Sequence, residues 1–267
     1  MDDIIIIRGA GDIASGIAHR LHRCGFRVIL TEIEKPLVVR RFASFANAVL
    51  EGEAVLEGIR AVKAYFIEDI QNIWCDADIP ILCDRQCSII EDIKPLVVVD
   101  AILAKRNTGT HRGMAPITIG VGPGFEAEVD VDAVIETHRG HNLAKVIFKG
   151  SADADTGIPG NIMGYSWERL LKAPSDGVIR NVLEIGNFVK KGDIIAYIAG
   201  EPVVSLIDGV VRGLIADGHV VQKGLKIGDV DPRGIKENCF TISDKSRSVA
   251  GGVLEAILYL KRMKCGA

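Results

Sequence analysis

The chain has 267 residues, 48% of them apolar and 25% charged, with Lys plus Arg 32 against Asp plus Glu 35 for a net charge of −3. That is the mix of a folded globular protein, and a balance so near neutral argues against nucleic acid or an anionic membrane as a whole-protein partner. No apolar run approaches the ~20 residues that span a bilayer, no secretory signal is read at the start, and six Cys are too sparse for a disulfide scaffold, so a reducing, cytoplasmic setting is expected.

The first thirty residues predict a βαβ unit. Ile4 to Ile7 is a continuous β-branched run, as in a parallel strand buried on both faces. Gly9-Ala10-Gly11-Asp12-Ile13-Ala14 follows, and Ile13, Ile17 and Leu21 then recur at the spacing of a helix face. Cys24-Gly25 ends that helix, and Phe26 to Glu32 reads as the next strand. Further on, 36–50 reads as helical, 60–64 as extended, 68–74 as helical, 79–83 and 96–100 as strands, and 89–93 as a short helix. A parallel sheet through about residue 105 is the economical arrangement.

Residues 106–172 are rich in glycine turns, with strands expected at 131–137 and 145–149. Such a stretch points to a functional surface rather than a linker. After Ala173 the chain repeats itself at an offset of 32. Asp176-Gly177-Val178-Ile179-Arg180 matches Asp208-Gly209-Val210-Val211-Arg212, and Gly186, Val189, Lys191 and Gly192 match Gly218, Val221, Lys223 and Gly224. Two copies of one small β unit, in interleaved layers, are implied. Residues 249–263 form an amphipathic helix whose first turn Gly251 and Gly252 would weaken.

The glycine loop carries the clearest chemistry. In the dinucleotide-binding pattern Gly9 makes the tight turn, Gly11 admits a pyrophosphate, and Ala14 lets helix and strand pack closely. Glu32, at the end of the second strand, is placed to accept from a ribose 2′-OH, which favours NAD over NADP. The competing reading is a tight turn that binds nothing, and the anionic Asp12 in the loop speaks for it. A second anion or cofactor subsite is expected at Gly122, Gly124, Arg139, Gly140 and His141, because a guanidinium meets phosphate with two parallel hydrogen bonds. No metal site is predicted: His138, His141 and Glu136 give at most three ligands, without a helix to set their geometry. Cys83 and Cys87, near a strand end, could carry sulfur or selenium, although two ordinary thiols are the simpler reading. The repeat resembles biotinyl and lipoyl carrier domains, yet its central hairpin, Ala199-Gly200-Glu201-Pro202, has no lysine to modify. A docking module is expected instead.

Together the runs Val98 to Asn107, Gly109-Thr110, Gly122-Pro123-Gly124-Phe125, Val134 to His141 and Thr156 to Gly160 resemble the YqeB family, over nearly the whole chain. The first part is also similar to the XdhC family, which assists sulfuration and insertion of the molybdenum cofactor. The YqeB resemblance implies an accessory protein that matures a selenium-dependent molybdenum hydroxylase. Its ligand would be a nucleotide-bearing molybdenum cofactor, such as a molybdopterin dinucleotide, or a precursor. Its partner would be the hydroxylase apoenzyme, and self-association is left open. The rivals are an NAD(P)-linked oxidoreductase and a non-catalytic scaffold. The expected fold class is α/β: a Rossmann-like parallel sheet domain (1–105), the Gly-rich segment (106–172), a β barrel-sandwich module (173–245) and a C-terminal helix (246–267).

Overall fold

The computed structural model describes residues 3–265. Two compact units emerge, one of Met1–Pro36, Ser44–Thr156 and Ile242–Ala267, the other of Leu37–Ala43 and Gly157–Thr241.

The first unit runs β1 (Ile4–Arg8), α1 (Asp12–Arg23), β2 (Arg27–Glu32), α2 (Asn47–Glu51), β3 (Glu53–Leu56), β4 (Ile59–Ala64), α3 (Asp69–Cys75), β5 (Ile79–Cys83), α4 (Ile90–Ile93) and β6 (Val97–Asp100). It continues through β7 (Ile117–Val121), β8 (Glu126–Ala127), β9 (Ala133–Ile135), β10 (Val146–Ile147) and β11 (Gly150–Ser151). Nine of these strands form one sheet in the order β10-β9-β7-β6-β1-β2-β5-β4-β3. The interior pairings are parallel, and only β10 and β3, at the two edges, run antiparallel to their neighbours. β1 lies at the centre, and Ile5, Ile6 and Ile7 are wholly buried. Its unbroken apolar run is what a two-sided environment selects.

The sheet does not stop near residue 105. Ile117 to Val121 is buried throughout and pairs in parallel with β6, and β9 and β10 follow it. The strands expected at 131–137 and 145–149 are β9 and β10, shorter than read and joined to this same sheet, whereas β7, set between Gly-rich turns, was not expected. The helix expected over 36–50 reduces to one 3₁₀ turn, Arg41–Ala43, and the five-residue α2. Its N-terminal part belongs to the second unit, where the Val39 carbonyl accepts from the Leu214 N–H at 2.8 Å. A carbonyl that accepts from a neighbouring strand is not free to close a helical turn. β3 was not foreseen. It forms a hairpin with β4 through Glu57 and Gly58, both at positive φ (47° and 82°), the conformation of a two-residue hairpin turn.

The second unit contains β12 (Leu170–Lys172), β13 (Gly177–Asn181), β14 (Phe188–Val189), β15 (Ile194–Ile198), β16 (Glu201–Val204), β17 (Gly209–Leu214), β18 (Val220–Val221) and β19 (Lys226–Asp231). They form two four-stranded sheets, β12-β19-β17-β14 and β16-β15-β13-β18. The copies exchange their short strands: β14 of the first pairs with β17 of the second, and β18 of the second with β13 of the first. The registers agree, since Val189 faces Gly209 as Val221 faces Gly177. The turns agree too. Asp208 accepts from the Lys191 N–H, and Asp176 from the Lys223 N–H, each at 2.7 Å. One apolar core, with Ile179, Ile195, Val211 and Ile227 fully buried, fills the space between. Among the described residues no sheet closes into a barrel.

The last helix, α5 (Asp244–Cys265), starts earlier than expected and packs on α1 in the first unit. Its glycines are packing devices. A Cβ at Gly252 would lie 2.4 Å from the Ala144 carbonyl oxygen, so the bare backbone permits the approach. No described helix is long and apolar enough to cross a membrane. The fold is therefore mixed α/β, with a large, mostly parallel sheet and a C-terminal helix.

Candidate functional site

Loops leaving the parallel strands gather at their carboxyl edge. The chain moves outward in one direction from β1 to β2 and in the other from β6 to β7, so β1 and β6 flank the switch point where α/β sheets open a crevice. At that edge lies a cleft of about 680 Å³, lined by Arg8, Gly9, Glu32, Cys83, Arg85 and Thr108 among others. Its volume falls in the range of small-molecule sites, roughly 300–1,000 Å³.

Arg8, in its lining, belongs to a buried polar cluster. Arg8 donates from Nη1 to Asp100 Oδ2 at 3.2 Å and to the Thr110 hydroxyl, and that hydroxyl donates to Asp100 Oδ2 at 2.6 Å. All three residues are at most 3% exposed. Asp100 ends the strand read over 96–100, whereas Arg8 and Thr110, 102 residues apart, meet only because β6 returns beside β1.

Glu32 lies in the wall. It accepts from the Ala10 N–H at 2.9 Å through Oε2 and from the Ile33 N–H at 2.8 Å through Oε1. Burial raises its carboxyl above the usual value, and these two N–H bonds oppose the rise. The glycine loop and the strand-end acid are thus brought together, as the pattern required. Gly9 has φ +91°, and a Cβ there would come within 3.0 Å of the Ile102 backbone. Gly11 differs: it precedes α1 with φ −64° and has open space where a Cβ would be. Ala14 is wholly buried.

The second expected subsite has another construction. The fork of Arg139 is engaged by Asp244, Nη1 to Oδ2 and Nη2 to Oδ1, both at 2.8 Å. Gly124 serves packing, since a Cβ would sit 2.6 Å from the backbone of Arg106. Gly122 likewise lies tight against the Thr137 hydroxyl. Gly140 and His141 are exposed. The buried Glu136 accepts from the N–H groups of His138 at 2.6 Å and Asp153 at 2.7 Å, tying the loop down. Lys245, absent from the sequence reading, links the two regions. Burial lowers its pKa, with the charges of Asp12, Asp155 and Glu136 raising it and that of Arg139 lowering it further. The charges of Asp12 and Arg139 thus both bear on one lysine, the second residue of α5.

The thiols are not activated. Burial pushes Cys87 up to about 11 and also raises Cys83, where Glu34 and Glu32 add to the shift. No three His, Cys, Asp or Glu side chains converge as metal ligands among the described residues.

No protein-family model matches the chain. A curated protein of Escherichia coli (strain K12), the uncharacterized protein YqeB, is 49% identical over 257 residues, covering 96% of this chain. The chain belongs to the YqeB family. It spans 48% of that YqeB protein, about half its length. Solved structures resemble it only loosely. A succinylglutamate desuccinylase from Silicibacter sp. TM1040 shares 11% identity across 86% of this chain and 84% of its own, with a TM-score of 0.26. An aspartoacylase family protein from Mesorhizobium loti shares 11% across 79% and 58%, also at 0.26. Likenesses at that level carry no argument about this YqeB-family chain.

Proposed function

We propose that this YqeB-family chain binds the nucleotide part of a small molecule in the cleft at the ends of β1, β2, β5 and β6. The observation that carries this reading is Glu32, a half-buried carboxylate in the cleft wall that also accepts from the glycine loop. Each carboxylate oxygen can accept a second hydrogen bond, which ribose hydroxyls would supply. The first-turn N–H groups of α1 beside Gly11 would take phosphate. Glu34, also in the wall, adds negative charge that disfavours a 2′-phosphate.

The family resemblance extends the proposal to a cytoplasmic maturation factor for a selenium-dependent molybdenum hydroxylase. There the ligand is a nucleotide-bearing molybdenum cofactor or its precursor. The swapped strands of the second unit support a barrel-sandwich module of the biotinyl or lipoyl kind, used for docking. The hairpin between β15 and β16 turns at Ala199-Gly200 and offers no lysine.

Mass spectrometry of small molecules retained by anaerobically purified protein tests the proposal. A pterin dinucleotide supports maturation, NAD supports an oxidoreductase, and no retained or titratable nucleotide ends the proposal. Glu32→Ala should weaken binding by about 1.5–3 kcal/mol, the usual value of a hydrogen bond to a charged group. Unchanged affinity in calorimetry removes Glu32 from the site.

A further inference from the structure

A second concavity, of about 240 Å³, lies between α1 and α5, with Arg20, Arg23, His19 and Arg247 around it and Ile242 and Leu254 in its lining. Arg20 and Arg23 belong to the C-terminal half of α1, whereas the glycine loop precedes its first residue, Asp12. With twelve residues rising about 1.5 Å each, the two ends are well separated, and this pocket is independent of the nucleotide cleft.

Its charge is unbalanced. Arg247 reaches Glu57 through Nη2 alone, at 2.6 and 2.8 Å from the two carboxylate oxygens. Glu57 also accepts from the Ile242 N–H at 2.8 Å. Arg20 and Arg23 form no ion pair with a carboxylate among the described residues. Basic residues in the last turn of a helix are ordinarily explained by its dipole. That does not account for Arg247, which sits close to the N-terminus of α5, where a cation is disfavoured. Nor does it account for Arg20, whose Nη1 lies 3.3 Å from where a Cβ of Gly251 would be, so that the guanidinium is laid across α5 at a bare backbone. The charges of Arg23 and Arg247 both bear on the buried His19. Like charges gathered around a concave surface concentrate positive potential there, and an anion relieves it.

We infer that this pocket is an anion site, taking inorganic phosphate or the phosphate end of a small monoester between Arg20, Arg23 and Arg247. Planar guanidinium forks suit a tetrahedral oxyanion, and the volume is too small for a nucleotide.

Calorimetric titration of the full chain with inorganic phosphate and, separately, with glycerol 3-phosphate tests this. Binding of at least one is expected. Equal affinities identify a free oxyanion, and tighter binding of glycerol 3-phosphate identifies a phosphorylated metabolite. The double substitution Arg20→Gln, Arg23→Gln should weaken binding by about tenfold or more. Arg20→Lys with Arg23→Lys, which keeps the charge, should weaken it less and covers the case in which the first variant fails to fold. No binding of either probe, or affinity indifferent to both double substitutions, overturns the assignment.

Discussion

Arg139 and Asp244 face each other as fork to fork, with both N···O distances at 2.8 Å and a separation of 105 residues in sequence. The pair ties the loop after β9 to the first residue of α5. Arg139 thereby acts as a tether as well as a candidate anion ligand.

Both side chains are well exposed, 42% and 73%. Arg139→Ala and Asp244→Ala should therefore each cost less than about 1 kcal/mol, as exposed ion pairs do. A double-mutant cycle on urea denaturation should give a coupling within the same bound. Coupling of several kcal/mol would mean that the loop depends on the pair far more than its exposure allows.

Glu32 should leave a pH signature. Its carboxyl is raised in the folded state by burial, so the folded protein holds the proton more tightly than the unfolded chain. Between the unfolded and folded values the native state binds more protons, and stability falls as pH rises. The contribution is greatest below the ordinary value of 4.5 and is lost as pH climbs through the raised one. Glu32→Gln removes this titration. The stability of the native protein relative to the variant should decline with rising pH in that window, measured by denaturant unfolding at a series of pH values. A flat difference would contradict the shift.

Thiol chemistry provides a check on burial. Alkylation at neutral pH followed by peptide mass mapping should modify the exposed Cys24 and Cys75 first. Cys83 should lag despite its exposure, because its thiol is raised, and Cys87, at about 11, should react only on unfolding. Rapid labelling of Cys87 in the native protein would show the apolar cluster around it to be open.

Two glycines should behave oppositely. Gly124→Ala forces a side chain to 2.6 Å from the Arg106 backbone at φ +105°, and should destabilise by about 3 kcal/mol or more. Gly11→Ala meets nothing within 4 Å and should cost about 1 kcal/mol or less, the scale of a helix cap. Melting curves of the two variants compare them directly. A stable Gly124→Ala would return that loop to candidacy as a ligand cradle.

The sequence by itself determined the features that rest on local periodicity and on repetition. Burial on both faces selects an unbroken apolar strand such as Ile4–Ile7, an amphipathic face selects the spacing of Ile13, Ile17 and Leu21, and a duplicated unit shows as matches 32 residues apart. It also placed Glu32 beside the glycine loop, because a βαβ unit returns its second strand next to its first. Tertiary structure alone decided the rest. The two copies trade β14 and β18 across sheets, an exchange the matches imply only as interleaving. Arg8 meets Thr110, Arg139 meets Asp244, and Arg20 nears Arg247, pairings between distant segments that need no local pattern. Glycines look alike in a sequence, yet Gly11 opens to solvent while Gly124 is pressed against Arg106. The difference is set by which backbone passes beside each one, and only the folded chain fixes that.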